Sequence, residues 1–132
     1  LFSKQNAPAF GDRTVLETSE VINSHLSKNS IIATSLGMSA VFKPLTNQGY
    51  YTHLHYENPT PRSRAKKFYK TYGYVKEETI HKELKKEGVD YIMLEYSYCY
   101  STSHSGSVMS KIVHTEQPKE SSNLFCTLNF LK

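Results

Sequence analysis

Val15, Ser19, Ile22 and Leu26 recur at helical intervals. They predict an amphipathic helix that starts at Asp12, a residue suited to an N-cap, and is closed by Lys28 and Asn29. The short β-branched run SIIAT at 30–34 predicts a buried strand. Residues 37–51 mix helical and strand patterns before the turn chemistry of TNQGYY, and are expected to form a loop with some strand. A second helix is predicted over 61–72, with Thr60 preceding a proline at its first position and Ala65, Phe68, Tyr69 and Tyr72 along one face; Gly73 ends it. A third is predicted over 76–87, where Glu77 and Glu78 suit the first turn, Lys85 and Lys86 the last, and Gly88 the C-terminal cap. The apolar run that follows predicts a central strand over 89–98, covered on both faces near its start.

Beyond it, 100–107 has loop composition, 108–113 suits a short helical turn, 115–123 is polar, and 124–131 predicts a last strand. The expected fold is therefore a single mixed α/β domain over 12–132, with helices packed on a small, mostly parallel sheet formed by 30–34, 89–98 and 124–131. Residues 1–11, polar and punctuated by proline and glycine, are expected to be an N-terminal linker. Leu1 is not an initiator methionine, and the chain reads as a piece of something larger.

Composition sharpens this picture in three ways. At 132 residues and 38% apolar content the chain has enough material for one core, and a domain of this length buries roughly two-thirds of its unfolded surface. No apolar run approaches the length of about 18 to 20 residues that a membrane span requires. The formal charge of +4 is modest, and the basic residues between Arg62 and Lys86 are interrupted by Glu77, Glu78 and Glu83. A solvated helical face explains them better than a nucleic-acid surface, and no nucleic-acid partner is expected.

The densest candidate chemistry is THLHYEN, which places His53, His55, Tyr56 and Glu57 within five positions. In extended backbone His53, His55 and Glu57 project to one side, as two imidazoles and a carboxylate. Such a set serves either acid–base chemistry or the orientation of a loop through hydrogen bonds to neighbouring backbone. No second His/Cys cluster stands at ligand spacing, so no metal is expected. No glycine-rich phosphate loop, nucleophile elbow or complete catalytic set is present, and no cofactor is expected in this domain. Arg62 and Arg64, close after Glu57, either bridge that loop to the second helix or face an anionic group. Cys99 and Cys126 are too far apart for a CxxC motif. They are two free thiols in a reducing compartment, or a pair whose closure adds about 3 to 4 kcal/mol in an oxidising one.

Taken in order, HLHYEN at 53–58, RSRAKKFYKTY at 62–72 and DYIMLEYSYC at 90–99 resemble the C-terminal luminal domain of the tryptophan C-mannosyltransferases. The family pattern is a His-Pro-His-Tyr-Glu-Asp segment, an Arg-x-Arg, a Tyr-x-x-Tyr helix face, and an apolar strand ending in Leu-Glu-x-Ser-x-Cys. Leu54 stands where the family usually has proline, Asn58 where it has aspartate, and Ser107 where a Gly-Cys is common. The resemblance covers about 29–113 and is weaker upstream of the histidines.

It implies a multi-pass endoplasmic-reticulum membrane enzyme that moves mannose from dolichyl-phosphate mannose to tryptophan in WxxW-type segments of thrombospondin repeats. It further implies that this chain is its luminal domain, inactive in isolation, packed on the enzyme's own transmembrane region and supporting acceptor binding. On this view 34–57 faces the membrane-embedded active site, with His53, His55, Tyr56 and Glu57 on the acceptor side. In the oxidising lumen Cys99 and Cys126 are the available pair and are expected to form a disulfide. The competing classes are a non-catalytic luminal or extracellular protein-binding module and a cytosolic α/β enzyme with two free thiols.

Overall fold

The computed structural model describes residues 12–53, 57–72 and 76–95. Its elements run in the order α1 (Asp12–His25), β1 (Ile31–Ala33), α2 (Leu36–Phe42), β2 (Gly49–Tyr50), α3 (Pro59–Tyr69), a 3₁₀ turn (Lys70–Tyr72), α4 (Glu77–Lys86) and β3 (Tyr91–Ile92). The three strands form one sheet in the order β2-β1-β3, with β1 parallel to both neighbours. This is the expected mixed α/β domain with a parallel sheet. The expected linker at 1–11, the helical turn at 108–113 and the strand at 124–131 lie outside the described residues.

β1 divides the core because alternate strand residues point to opposite faces. Ala33, with Ile31 at its margin, packs with Leu36, Tyr51, Ala65, Phe68, Tyr69, Ile80, Leu84 and Val89 on the side of α3 and α4. Ile32 packs the other way, with Ile22, Met38, Phe42 and Tyr50 on the side of α1 and α2. Neither half is large, and the strand that separates them belongs to both.

The helices form where their spacing predicts. α1 buries Ser19 and Ile22 and half-buries Val15 and Leu26. Its last carbonyls, at Ile22 and Leu26, accept from Gln48 Nε2 at 3.4 and 3.1 Å, so the loop before β2 caps the helix. Asn23 reinforces this, donating to the Leu45 carbonyl at 3.0 Å and accepting from the Asn47 amide at 3.1 Å. α3 buries Ala65, Phe68 and Tyr69. It starts two residues earlier than the TPR pattern suggests: Asn58 is the N-cap, and Pro59, also followed by a helical residue, fits the first turn as well as Pro61 does.

Two expectations are corrected. Residues 37–51 open with a helix, α2, where loop was expected, and the expected strand is β2 at their end. The Ser35 hydroxyl accepts from the Met38 amide at 3.2 Å and the buried Tyr69 hydroxyl accepts from the Leu36 amide at 3.1 Å. Two free amides at the helix start are thereby satisfied. The strand at 89–98 is represented by Tyr91–Ile92, which is an edge and not the centre of the sheet among the described residues; Tyr91 is 43% and Ile92 37% exposed. β1 takes the central place because it is the strand with partners on both sides.

α4 ends in a complete Schellman motif. The Val89 amide donates to the Leu84 carbonyl at 3.0 Å and the Gly88 amide to the Lys85 carbonyl at 3.1 Å, while Leu84 and Val89 share a core cluster. Gly88 adopts φ +83°, in the left-handed region that glycine alone enters without steric cost. Replacing Gly88 with alanine is expected to lower stability by about 1 to 2 kcal/mol, read as a fall in the urea midpoint with an unchanged slope. An unchanged midpoint would remove the motif from the list of what holds α4 against β3.

Candidate functional site

In open parallel α/β sheets ligands bind beyond the carboxyl ends of the strands, near the point where strand order reverses. Here β1 leads to β2 on one side and is flanked by β3 on the other, so that point lies at the carboxyl edge of β1. The side chains gathered there come from three segments. Thr34 and Ser35 follow β1, Thr52 and His53 follow β2, and Leu94 and Glu95 follow β3. Thr52 Oγ1 donates to the Thr34 carbonyl at 2.6 Å, extending the pairing of the two strands by a side chain after the backbone ladder ends. His53 and Glu95 are both half-buried at this edge.

The acceptor-side candidates divide accordingly. His53 leaves the sheet at its carboxyl edge, and Glu57 is exposed at the turn before α3. His55 and Tyr56 lie outside the described residues, as do Cys99 and Cys126. Burial narrows the surface that 34–57 offers, because Thr34, Ser35, Leu36, Met38, Phe42 and Tyr50 to Thr52 are core. What remains accessible among the described residues is part of His53, Glu57 and the outer side of α2.

Arg62 and Arg64 do not act as a pair, since residues two apart on a helix point in different directions. Arg62 Nη2 donates to the Glu57 carbonyl at 2.8 Å and so ties the bend to α3, which is the structural alternative of the two expected. Arg64 instead lies over the Tyr51 ring, its guanidinium carbon 5.3 Å from the centroid, a cation–π arrangement.

Beneath Arg64 is a constellation that sequence patterns do not expose. The Tyr51 hydroxyl donates to Glu87 Oε2, and Lys67 Nζ donates to Glu87 Oε1. Glu87 is the C-cap of α4, Lys67 belongs to α3 and Tyr51 extends β2, so one carboxylate joins three elements. Burial, and then the hydrogen bond to Glu87, push the Tyr51 hydroxyl well above its ordinary range. Lys67 first and Tyr51 second hold the Glu87 carboxyl below its usual value. A shallow cavity of about 350 Å³ opens over the cluster, lined by Pro59, Thr60, Ser63, Arg64, Lys67 and Glu87. The partners are separated in sequence by 36 and 20 residues. The one local sign was Glu87 standing immediately before the capping Gly88.

Among the described residues, no three His, Cys, Asp or Glu side chains are grouped to hold a metal ion, and no helix is long and apolar enough to cross a membrane. The arrangement is that of a small α/β domain with a parallel sheet, with His53 at the carboxyl edge of that sheet just beyond the braced Tyr51. Residues 9–130 match the Dpy19 family, described as Q-cell neuroblast polarisation, and the chain belongs to that family. It is 37% identical over 84 residues to the protein C-mannosyl-transferase DPY19L1 of Mus musculus, covering 64% of this chain and 10% of that protein. The Rattus norvegicus protein of the same name matches at 37% with the same coverage, and the Homo sapiens one at 36% over 64% of this chain and 12% of its own length. The chain thus spans about a tenth of the length of the curated relatives it matches.

The brace has a pH signature. Because Glu87 is held below the ordinary value of 4.5 in the folded chain, its contribution to stability is complete above that value and is lost as pH falls through the lowered one. Urea midpoints measured from neutral to acid pH should fall less steeply in Glu87→Gln than in the parent chain. Tyr51→Phe should cost about 1 to 3 kcal/mol at neutral pH, the range for a hydrogen bond to a charged group, and little once Glu87 is already replaced. Additive losses in the double variant would show that the two side chains do not act together.

Proposed function

We propose that this chain is the luminal, acceptor-supporting part of a membrane-embedded C-mannosyltransferase. In this reading the full enzyme transfers mannose from dolichyl-phosphate mannose to tryptophan in WxxW-type thrombospondin repeats, in the endoplasmic reticulum. The observation that carries it is the family match over nearly the whole chain, together with relatives that are named C-mannosyl-transferases. The donor site and the catalytic acids belong to the rest of the enzyme, and this part supplies orientation.

The geometry supports that division of labour. Tyr51 is locked by Glu87 and Thr52 by Thr34, so the backbone reaching His53 is fixed at its root. Arg62 fixes the other end through the Glu57 carbonyl. In this reading the fixed flanks reduce the entropy lost when an acceptor strand meets His53, His55, Tyr56 and Glu57. Pre-set orientation of this kind can supply several kcal/mol of a transfer barrier. The imidazoles and the carboxylate offer donors and acceptors to acceptor backbone, and the Tyr56 ring offers a surface for the indole. The Cys99–Cys126 disulfide belongs to the same proposal, because it requires the oxidising lumen.

In the full-length enzyme His55→Ala is expected to lower transfer by about tenfold, the scale of one lost orienting hydrogen bond, with the thermal unfolding temperature unchanged. Turnover of a WxxW peptide equal to that of the parent enzyme would return the bend to a purely structural role. Peptide mapping without reductant is expected to recover Cys99 and Cys126 in one linked fragment.

A further inference from the structure

α2 is apolar on both of its sides. Inward it buries Leu36, Met38 and Phe42; outward it shows Gly37, Ala40 and Val41, and the turn after it adds Pro44 and Leu45. Residues 36–45 hold one charged side chain, Lys43, whereas the exposed side of α4 carries Glu77, Glu78, Lys82, Glu83, Lys85 and Lys86. A helix that is apolar all round is normally covered on every side. Gly37, Ala40, Val41 and Pro44 recur at intervals of three and four residues and so form one stripe. Leu16 of α1 borders it: Asn23 reaches the Leu45 carbonyl, and Leu16, seven residues or about two turns earlier, shares the flank of Asn23. Leu16 is 55%, Leu45 41% and Val41 37% exposed.

Gly37 stands at the centre of this stripe, and nothing inside the domain requires a glycine there. Its φ is not left-handed, a Cβ placed on it meets no atom within 4 Å, and glycine weakens a helix relative to alanine. Small residues on a helix face let a second backbone come close. The exposed apolar side chains and the glycine thus point independently to something that packs on α2 from outside.

We propose that this stripe docks an apolar helix from the part of the full-length polypeptide that lies outside these 132 residues. The match covers 10 to 12% of the length of the relatives, so most of each of them lies beyond it. Leu16, Gly37, Ala40, Val41, Pro44 and Leu45 are far fewer than the roughly 20 to 30 residues a side that join separate proteins. A segment of the same polypeptide needs less, because the covalent connection makes its docking intramolecular. A bilayer fits less well, since helices that lie on membranes bring large apolar side chains and a basic polar face, and here the centre is glycine. α2 starts at the carboxyl edge of β1, so whatever covers it also sets where that edge and His53 stand relative to the rest of the enzyme. The docking surface deepens the proposed function and rests on its reading of the chain as one part of a membrane enzyme.

The test is photo-cross-linking in the full-length protein, with an aliphatic diazirine side chain in place of Leu45 and, as a control, in place of Lys82 on α4. Position 45 is expected to give adducts within one polypeptide to peptides outside the 132 residues, about fivefold more than position 82, because a tethered neighbour is held at high effective concentration. Gly37→Leu should lower that yield to the control level, yet leave the urea midpoint of the 132-residue chain unchanged, the space at Gly37 being open. Gly37→Ala should lower the yield without lowering the midpoint, and decides the matter if the leucine variant of the full-length protein fails to accumulate. Adducts chiefly to lipid, to a second copy or to residues 1–11 or 96–132, equal yields at the two positions, or Gly37 variants that cross-link as the parent does would each overturn the proposal. Transfer to a WxxW peptide is scored separately on the unsubstituted protein. Transfer without the adduct refutes the docking surface and leaves the proposed function standing; the adduct without transfer does the reverse.

Discussion

The whole domain depends on one strand of three residues. β1 is hydrogen-bonded on both edges, accepting from the Gly49 and Tyr51 amides through Ser30 and Ile32, and from the Asp90 and Met93 amides through Ile31 and Ala33. Its side chains feed both halves of the core. The Asp90 carboxylate adds a contact that no backbone could make there, accepting from the Ile31 amide at 2.9 Å and so fixing the register of β3 from its first turn of chain. Each helix places residues in one of the two core clusters that β1 divides, which is why so little regular sheet suffices.

Much of the scaffold was legible in the sequence because its signals are local. The 3.6-residue pattern of α1, the proline-led start of α3 and the glycine after α4 each act through neighbours a few residues away. SIIAT gave β1 for the same reason. α2 was hidden: seven residues give barely two turns of periodicity, Gly37 sits in its first turn, and one of its two caps is a tyrosine 33 residues downstream. The place of β3 at the edge among the described residues was equally hidden, since an apolar run states that a strand is buried somewhere but not which neighbours it has.

The candidate site divides along the same line. The histidine-rich bend stands out as composition, and Arg62 reaching back to Glu57 is a short-range contact. The brace of Tyr51, Glu87 and Lys67 was not legible, because its members lie on three elements and look individually like a strand aromatic, a helix-end acid and a solvated lysine. Arg64 was grouped with Arg62 by adjacency, yet the helix turns them to different flanks. Side chains that hold a site in place are thus harder to find than those that form its surface. Their meaning comes from the fold and not from the segment that carries them.

The order of strands also has a kinetic consequence. β1 meets β2 across 18 residues, through α2 alone, but meets β3 only after 59 residues that include α3 and α4. Closing the longer loop costs about 1 kcal/mol more in chain entropy. The amino-terminal βαβ portion is therefore the natural nucleus, and β3 joins after it, once both later helices have formed. A chain emerging from its site of synthesis would complete the groundwork for the histidine bend before the carboxylate that locks it, Glu87, has been made.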